Sequence, residues 1–278
     1  MLATLGYGVG ASALWGAGDF SGGVATKRRN AFAVVCGAHS TGLLLAVVLA
    51  LLLREPLASG YAVMWGAIAG VAGGLALAAF YRSLAIGVMG INAPVAALIT
   101  AGLPVILAIH QQGYPKPLQL AGFGLAACSI VLVSRPQKLH GRPKGLGLAI
   151  LSGFGFGVFL VGMQRAGSAH VWWPMAVARA ASAGIAGIGF LFARQASNES
   201  RSSGGIRLVL AAGICDTLGN AMFMLAARSG RLDVAAALSS LYPVTTVLLA
   251  RVIFGEHVHR VQAIGSALAL IAVPMIAA

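Results

Sequence analysis

Asp19 and Asp216 sit inside long runs of Ala, Leu, Val and Gly, where a carboxylate is hardest to accommodate. A charged side chain at the centre of an apolar membrane helix costs about 2.5–3.5 kcal/mol on insertion scales. A residue that costly faces a wet cavity or a partner. The chemistry open to it is recognition of a substrate amine, binding of a proton, or an ion pair or hydrogen bond holding two helices together. Arg179 lies about two turns inside another apolar run. It could pair with Asp19 or Asp216, bind an anionic substrate group, or snorkel to the near interface on its flexible stem. His39 reads as a titratable relay or a core histidine. Asn220 follows Asp216 by four residues, and Asp19 follows Trp15 by four, so each pair shares one helix face. The first pair makes a polar stripe suited to a cavity wall. In the second, an indole and a carboxylate could clasp a cationic or amphipathic ligand, partly through cation–π attraction, or Trp15 could be core packing. Asn92, Thr100, Gln164, Ser239, Ser240 and Tyr242 are further polar candidates. The hydroxyls among them often bond back to their own helix.

The elements that position these residues follow from composition. Of 278 residues, 59% are hydrophobic and 9% charged, and mean hydropathy is +0.89. A water-soluble domain carries about 25% charged residues, so this chain cannot cover a soluble surface. Ten stretches approach the length of a bilayer-spanning helix: 3–24, 31–53, 61–81, 89–109, 118–134, 145–164, 172–193, 206–227, 234–254 and 260–277. The predicted fold is an all-α membrane protein of ten transmembrane helices. Gly18 with Gly22, Gly66 with Gly70 and Gly74, and Gly153 with Gly157 line small residues along single faces and predict close helix contacts.

The net charge of +13 falls mostly in the short gaps, where Lys and Arg set orientation, and is not read as a nucleic-acid surface. Thirteen of the basic residues fall in or beside odd-numbered gaps and five in even-numbered ones, which predicts odd loops in the cytoplasm and both termini outside. Cys36, Cys128 and Cys215 show no metal or disulfide spacing and read as buried packing residues. No metal or other cofactor is expected. The first residues lack a basic n-region, so no cleavable signal peptide is expected. The longest gap, around 195–205, is rich in Ser and Gly and reads as a flexible tether.

The halves resemble each other. Leu118-Gln119-Leu120-Ala121-Gly122 matches Val261-Gln262-Ala263-Ile264-Gly265, Leu103-Pro104-Val105 matches Tyr242-Pro243-Val244, and His39 and Arg179 correspond, each preceded by Ala. The chain therefore reads as two five-helix repeats, 1–138 and 145–278, with 139–144 as linker. Five is odd, so the repeats insert with opposite topology, an arrangement of many secondary transporters. The matched interior prolines Pro104 and Pro243 are candidate hinges beside a central site.

The run Ala235-Ala236-Ala237-Leu238-Ser239-Ser240-Leu241-Tyr242-Pro243-Val244, continuing through Leu249 to Glu256, then Gln262 and Gly265, resembles the signature of EamA-type carriers of the drug/metabolite transporter superfamily. A weaker copy spans Ala96 to Val105, Gln119 and Gly122, and Trp15-Gly16 resembles the family's opening motif. The resemblance implies ten helices around a central cavity and export or exchange of amino acids, nucleosides, sugars, drugs or other small metabolites. Gln111-Gln112-Gly113 and Glu256-His257 depart from the family pattern, so no one member's substrate transfers. The expected function is a secondary transporter, not an enzyme, in the plasma (inner) membrane. The expected partners are a small-molecule substrate and the lipid bilayer, with protons as candidate coupling ion and a homodimer as candidate assembly. The expected substrate-binding set is Trp15, Asp19, His39, Asn92, Gln164, Arg179, Asp216, Asn220, Ser239 and Tyr242.

Two other readings compete. Gly16-Ala17-Gly18-Asp19 has the Gly-x-Gly-Asp pattern of an intramembrane aspartyl protease, with Asp216 as second acid. However, the order of the two acids is reversed and no Pro-Ala-Leu occurs. A non-transporting membrane scaffold is the other. No phosphate-binding loop supports ATP-driven pumping.

Overall fold

The structure is a computed structural model describing residues 2–27, 29–87, 89–133, 144–167, 169–196, 205–254 and 260–276. Among these residues eleven helices follow one another, with no strand. They are α1 Leu2–Thr26, α2 Ala31–Leu52, α3 Gly60–Ile86, α4 Met89–Gln112, α5 Pro117–Val133 and α6 Leu146–Ala166. Then come α7 Trp172–Ala196, α8 Ile206–Ser229, α9 Leu232–Ser239, α10 Tyr242–Phe254 and α11 Arg260–Ile276. Residues 139–143 of the expected linker, most of the Ser- and Gly-rich gap, Glu199, Glu256 and His257 lie outside the described residues.

Ten stretches were expected, and the ninth holds two helices instead of one. Pro243 has no N–H, and a proline is tolerated in a helix's first turn, where that N–H has no partner to lose. Ser240 caps α9 by donating its hydroxyl to Ala236 O at 2.7 Å. Pro243 then stands in the first turn of α10. The matched Pro104 leaves α4 unbroken, as does Pro94 nearer its start. The two prolines therefore share a sequence position but not a local structure.

Among the described residues six helices are long and apolar enough to cross a membrane: α2, α3, α6, α8, the Trp172–Ala193 part of α7 and the Asn92–Gln112 part of α4. Helices α5 and α11 are apolar but have 17 residues each. Large apolar side chains cover the outside, among them Leu44 and Leu51 on α2, Met64 and Ile68 on α3, and Phe192 on α7. Cys128 is also exposed, and Cys36 and Cys215 are half-buried, which corrects the reading of all three as buried. An apolar run does not distinguish a core-facing position from a lipid-facing one.

Helix α1 packs along α8, α3 along α6, α2 along α7, and α5 along α11. The small-residue stripes allow this. A Cβ on Gly70 would fall inside the Ala178 carbonyl of α7, and a Cβ on Gly213 inside the Ala38 carbonyl of α2. Gly153 also approaches α4, its would-be Cβ standing 2.7 Å from Ile99 Cβ and 2.8 Å from Ala96 O.

Helix starts are capped where the sequence supplies an acceptor. Asn30 Oδ1 accepts from Phe32 N at 2.9 Å, and Ser59 Oγ from Ala62 N at 3.3 Å. The start of α7 is capped from a distance. Glu55, in the α2–α3 connection, accepts from the backbone N–H groups of Val171 (3.2 Å), Trp172 (2.9 Å) and Trp173 (3.4 Å). Its own carbonyl accepts from the Trp173 indole at 3.0 Å. A carboxylate there satisfies orphan donors and complements the positive end of the helix dipole. Glu55→Ala should lower stability by about 1–2 kcal/mol, read as an earlier thermal unfolding midpoint in detergent. An unchanged midpoint would show the cap to be dispensable.

Candidate functional site

The cluster starts from the close approach of α1 to α8. A Cβ on Gly18 would stand 3.3 Å from Asp216 N, and one on Gly219 2.6 Å from the Trp15 ring. With the backbones this near, the two four-residue polar stripes meet edge to edge. The Trp15 indole donates to Asn220 Oδ1 at 3.1 Å, and Asn220 Nδ2 donates to Asp216 Oδ1 at 3.2 Å. On the far side of the carboxylate, Arg179 Nη1 of α7 stands 2.7 Å from Asp216 Oδ2. His39 Nε2 of α2 is 3.3 Å from the same oxygen, outside good hydrogen-bond alignment. His39 Nδ1 is bonded to the Ser182 hydroxyl of α7. One continuous polar chain thus runs through α1, α8, α2 and α7.

Burial makes this chain consequential. Arg179 is 3% exposed, whereas Asp216 retains 24% on the cavity side. A buried guanidinium is tolerable only with a counter-charge, and Asp216 is that counter-charge. Of the readings open for Arg179, the structure has the ion pair with Asp216. Its Nε and Nη2 are buried without a hydrogen-bond partner among the described residues.

The chain borders a cavity of roughly 600 Å³, a volume that takes in space open to the outside. Trp15, Asp19, His39, Arg179, Asp216, Asn220 and Tyr242 all line it. Tyr242 meets Trp15 edge-on at 6.4 Å between ring centroids, and the Phe223 ring is tilted against Trp15 at 5.8 Å. Thr246 ties α10 to α1 by donating to Gly16 O at 3.2 Å. Asp19 reaches the cavity without a hydrogen bond or ion pair among the described residues.

Three expected site residues lie elsewhere. Asn92, in the first turn of α4, donates Nδ2 to Ser83 O and Lys144 O, both at 3.0 Å. It fastens the α3–α4 corner to the start of α6, which is the commonest use of a buried amide. Gln164 is half-buried near the end of α6 and does not line the cavity. Ser239 is buried below the α9–α10 break, its hydroxyl unpartnered among the described residues, and does not line the cavity. Thr100, one of the further polar candidates, also lines the cavity, while Ser182 and an apolar wall of Leu77, Phe156, Phe159 and Leu160 were not anticipated. Ser182 had a signal, standing three residues after Arg179 on the same helical face. The apolar wall had none, because Leu and Phe fill every helix.

Residues 143–278 match the EamA-like transporter family. The chain carries an EamA-like transporter domain. That domain contains α6 to α11, and with them Arg179, Asp216, Asn220 and Tyr242. Trp15, Asp19 and His39 reach the same cavity from outside it. The EamA-like segment and the six apolar helices among the described residues make this an integral membrane protein. No curated protein matches the chain. A solved crystal structure of a protein shares its fold, with a TM-score of 0.75 at 17% sequence identity, over 96% of this chain and 94% of the other.

Proposed function

We propose that the chain is a secondary transporter that moves a small metabolite by alternating access, as an exporter or exchanger in the plasma (inner) membrane. In this reading ten spans form two inverted five-helix repeats, 1–138 and 145–278, with α9 and α10 together making the ninth span. The observation that carries the reading is an ionised, hydrogen-bonded cluster lining a cavity where helices of both halves meet. A scaffold has no use for so costly an arrangement.

Matched contacts support the two-repeat arrangement. If α6 corresponds to α1 and α8 to α3, the α1–α8 and α6–α3 pairings are one contact made twice. The close approaches follow the same rule. Gly70 against Ala178 corresponds to Gly213 against Ala38, and Gly122 against Ile276 to Gly265 against Val133. Gly74 against Ser182 likewise corresponds to Thr217 against Gly42. Symmetric pairings of this kind allow two related conformations that open one site to opposite faces.

The protease reading requires two carboxylates sharing a proton. Asp216 is held instead by Arg179 and Asn220, which argues against it. The test is counterflow in proteoliposomes without ATP, using a labelled panel of cationic, zwitterionic, anionic and neutral metabolites. Saturable exchange above protein-free vesicles is expected for one class. No exchange by a folded, correctly inserted protein would end the transporter reading.

A further inference from the structure

We propose that the cavity selects an amphipathic monocation, an amine or ammonium bound at Asp19 with its apolar body laid on the opposite wall. This rests on the cavity being a substrate site. Three observations on the lining lead to it.

The first is charge. Arg179 and Asp216 neutralise each other at 2.7 Å. With His39 counted neutral, Asp19 is then the one uncompensated charge among the described residues of the lining. A lone carboxylate in a low-dielectric cavity attracts a single positive charge far more strongly than it would in water. Arg179 offers little to an anion, because it is 3% exposed and its stem lies against Gly42 beside Thr217.

The second is the aromatic group one helical turn away. The Trp15 indole is fixed by its bond to Asn220 and by the Phe223 and Tyr242 rings. A ring held in place beside a carboxylate favours alkylammonium groups through its quadrupole.

The third is the distribution of polarity. Helices α1 and α8 supply Trp15, Asp19, Asp216 and Asn220. The pair that would correspond to them, α6 and α3, supplies Phe156, Phe159, Leu160, Leu77 and three glycines. Contacts made alike in both pairs thus frame opposite chemistries. A ligand that satisfies both walls has one charged end and one apolar end.

The test is calorimetric titration of the detergent-purified full chain with phenyltrimethylammonium, with benzoate and neutral N,N-dimethylaniline as comparisons. The cation should bind more tightly than either. Asp19→Asn should weaken it at least about tenfold, the loss of one ion pair in a poorly solvated site, and Asp19→Glu should restore much of the binding. Asp19→Asn should not lower the thermal midpoint, since it removes an unpaired carboxylate from an apolar setting. Preference for benzoate or dimethylaniline overturns the proposal. So does unchanged cation affinity in Asp19→Asn, or no cation binding by the folded chain at millimolar concentration. Cation binding without counterflow would end the transporter reading and leave this one standing. Counterflow of an anion or a neutral metabolite would do the reverse.

Discussion

Asp216→Asn should abolish exchange and destabilise the fold by about 3 kcal/mol. The substitution keeps the shape and the contact with Asn220 but removes the counter-charge of a guanidinium that is 3% exposed. Breaking a buried pair on one side costs about 3–5 kcal/mol, because the remaining charge stays buried and uncompensated. The lower end applies because Asp216 is 24% exposed and water already screens part of the interaction. Arg179 has nowhere else to turn, since its Nε and Nη2 lack partners among the described residues. The double variant Asp216→Asn with Arg179→Met should regain most of the lost stability, since replacing both members of a buried pair is often neutral or better. It should not regain exchange. Thermal unfolding and proteoliposome counterflow on the wild type, both single variants and the double variant separate the two effects. Wild-type stability and flux in Asp216→Asn would remove the cluster from the centre of the molecule's function.

The second large effect is expected from a single methyl group. Gly70→Ala and Gly213→Ala each drive a Cβ into a backbone carbonyl, that of Ala178 or Ala38. Those carbonyls directly precede Arg179 and His39, so a helix pushed aside carries a member of the cluster with it. Overpacking costs about 1–3 kcal/mol, occasionally more, and a clash with backbone belongs at the upper end. Misplacement by about 1 Å at a binding site costs up to roughly a hundredfold in rate, so flux should fall at least tenfold in both. Gly124→Ala is the contrast. Nothing lies within 4 Å of its would-be Cβ, and the helical preference for Ala over Gly should stabilise it by about 0.5–1 kcal/mol. If Gly70→Ala and Gly213→Ala behave like Gly124→Ala, the close approaches of α3 to α7 and α8 to α2 are not what sets the site.

The legible part of the site was the part written along single helices. Four-residue spacing alone places Asp216 with Asn220 and Trp15 with Asp19, because helical periodicity is local. The correspondence between His39 and Arg179 came from internal similarity, and both reach the cavity. What escaped is decided between helices. Nothing in the sequence selects Asp216 over Asp19 as the partner of Arg179, or marks Glu55 as the cap of a helix more than a hundred residues away. Asn92, Gln164 and Ser239 had the right chemistry for a site. Polar groups in apolar helices also close turns and bond to backbone, and sequence alone does not separate the two uses. Pro104 and Pro243 show the same limit at the level of fold. Only Pro243 falls where the preceding helix is already capped by Ser240.

The bond between Trp15 and Asn220 joins residues 205 positions apart. At synthesis rates of roughly 5–20 residues per second, α1 leaves the ribosome about 10–40 s before α8 follows. Throughout that interval the Trp15–Asp19 stripe has no mate, and a nascent helix with a bare carboxylate must rest against the insertion machinery or at the lipid headgroups. Biogenesis is therefore most exposed between the making of α1 and of α8, and a premature stop before α8 would strand α1 without the surface it was shaped to meet.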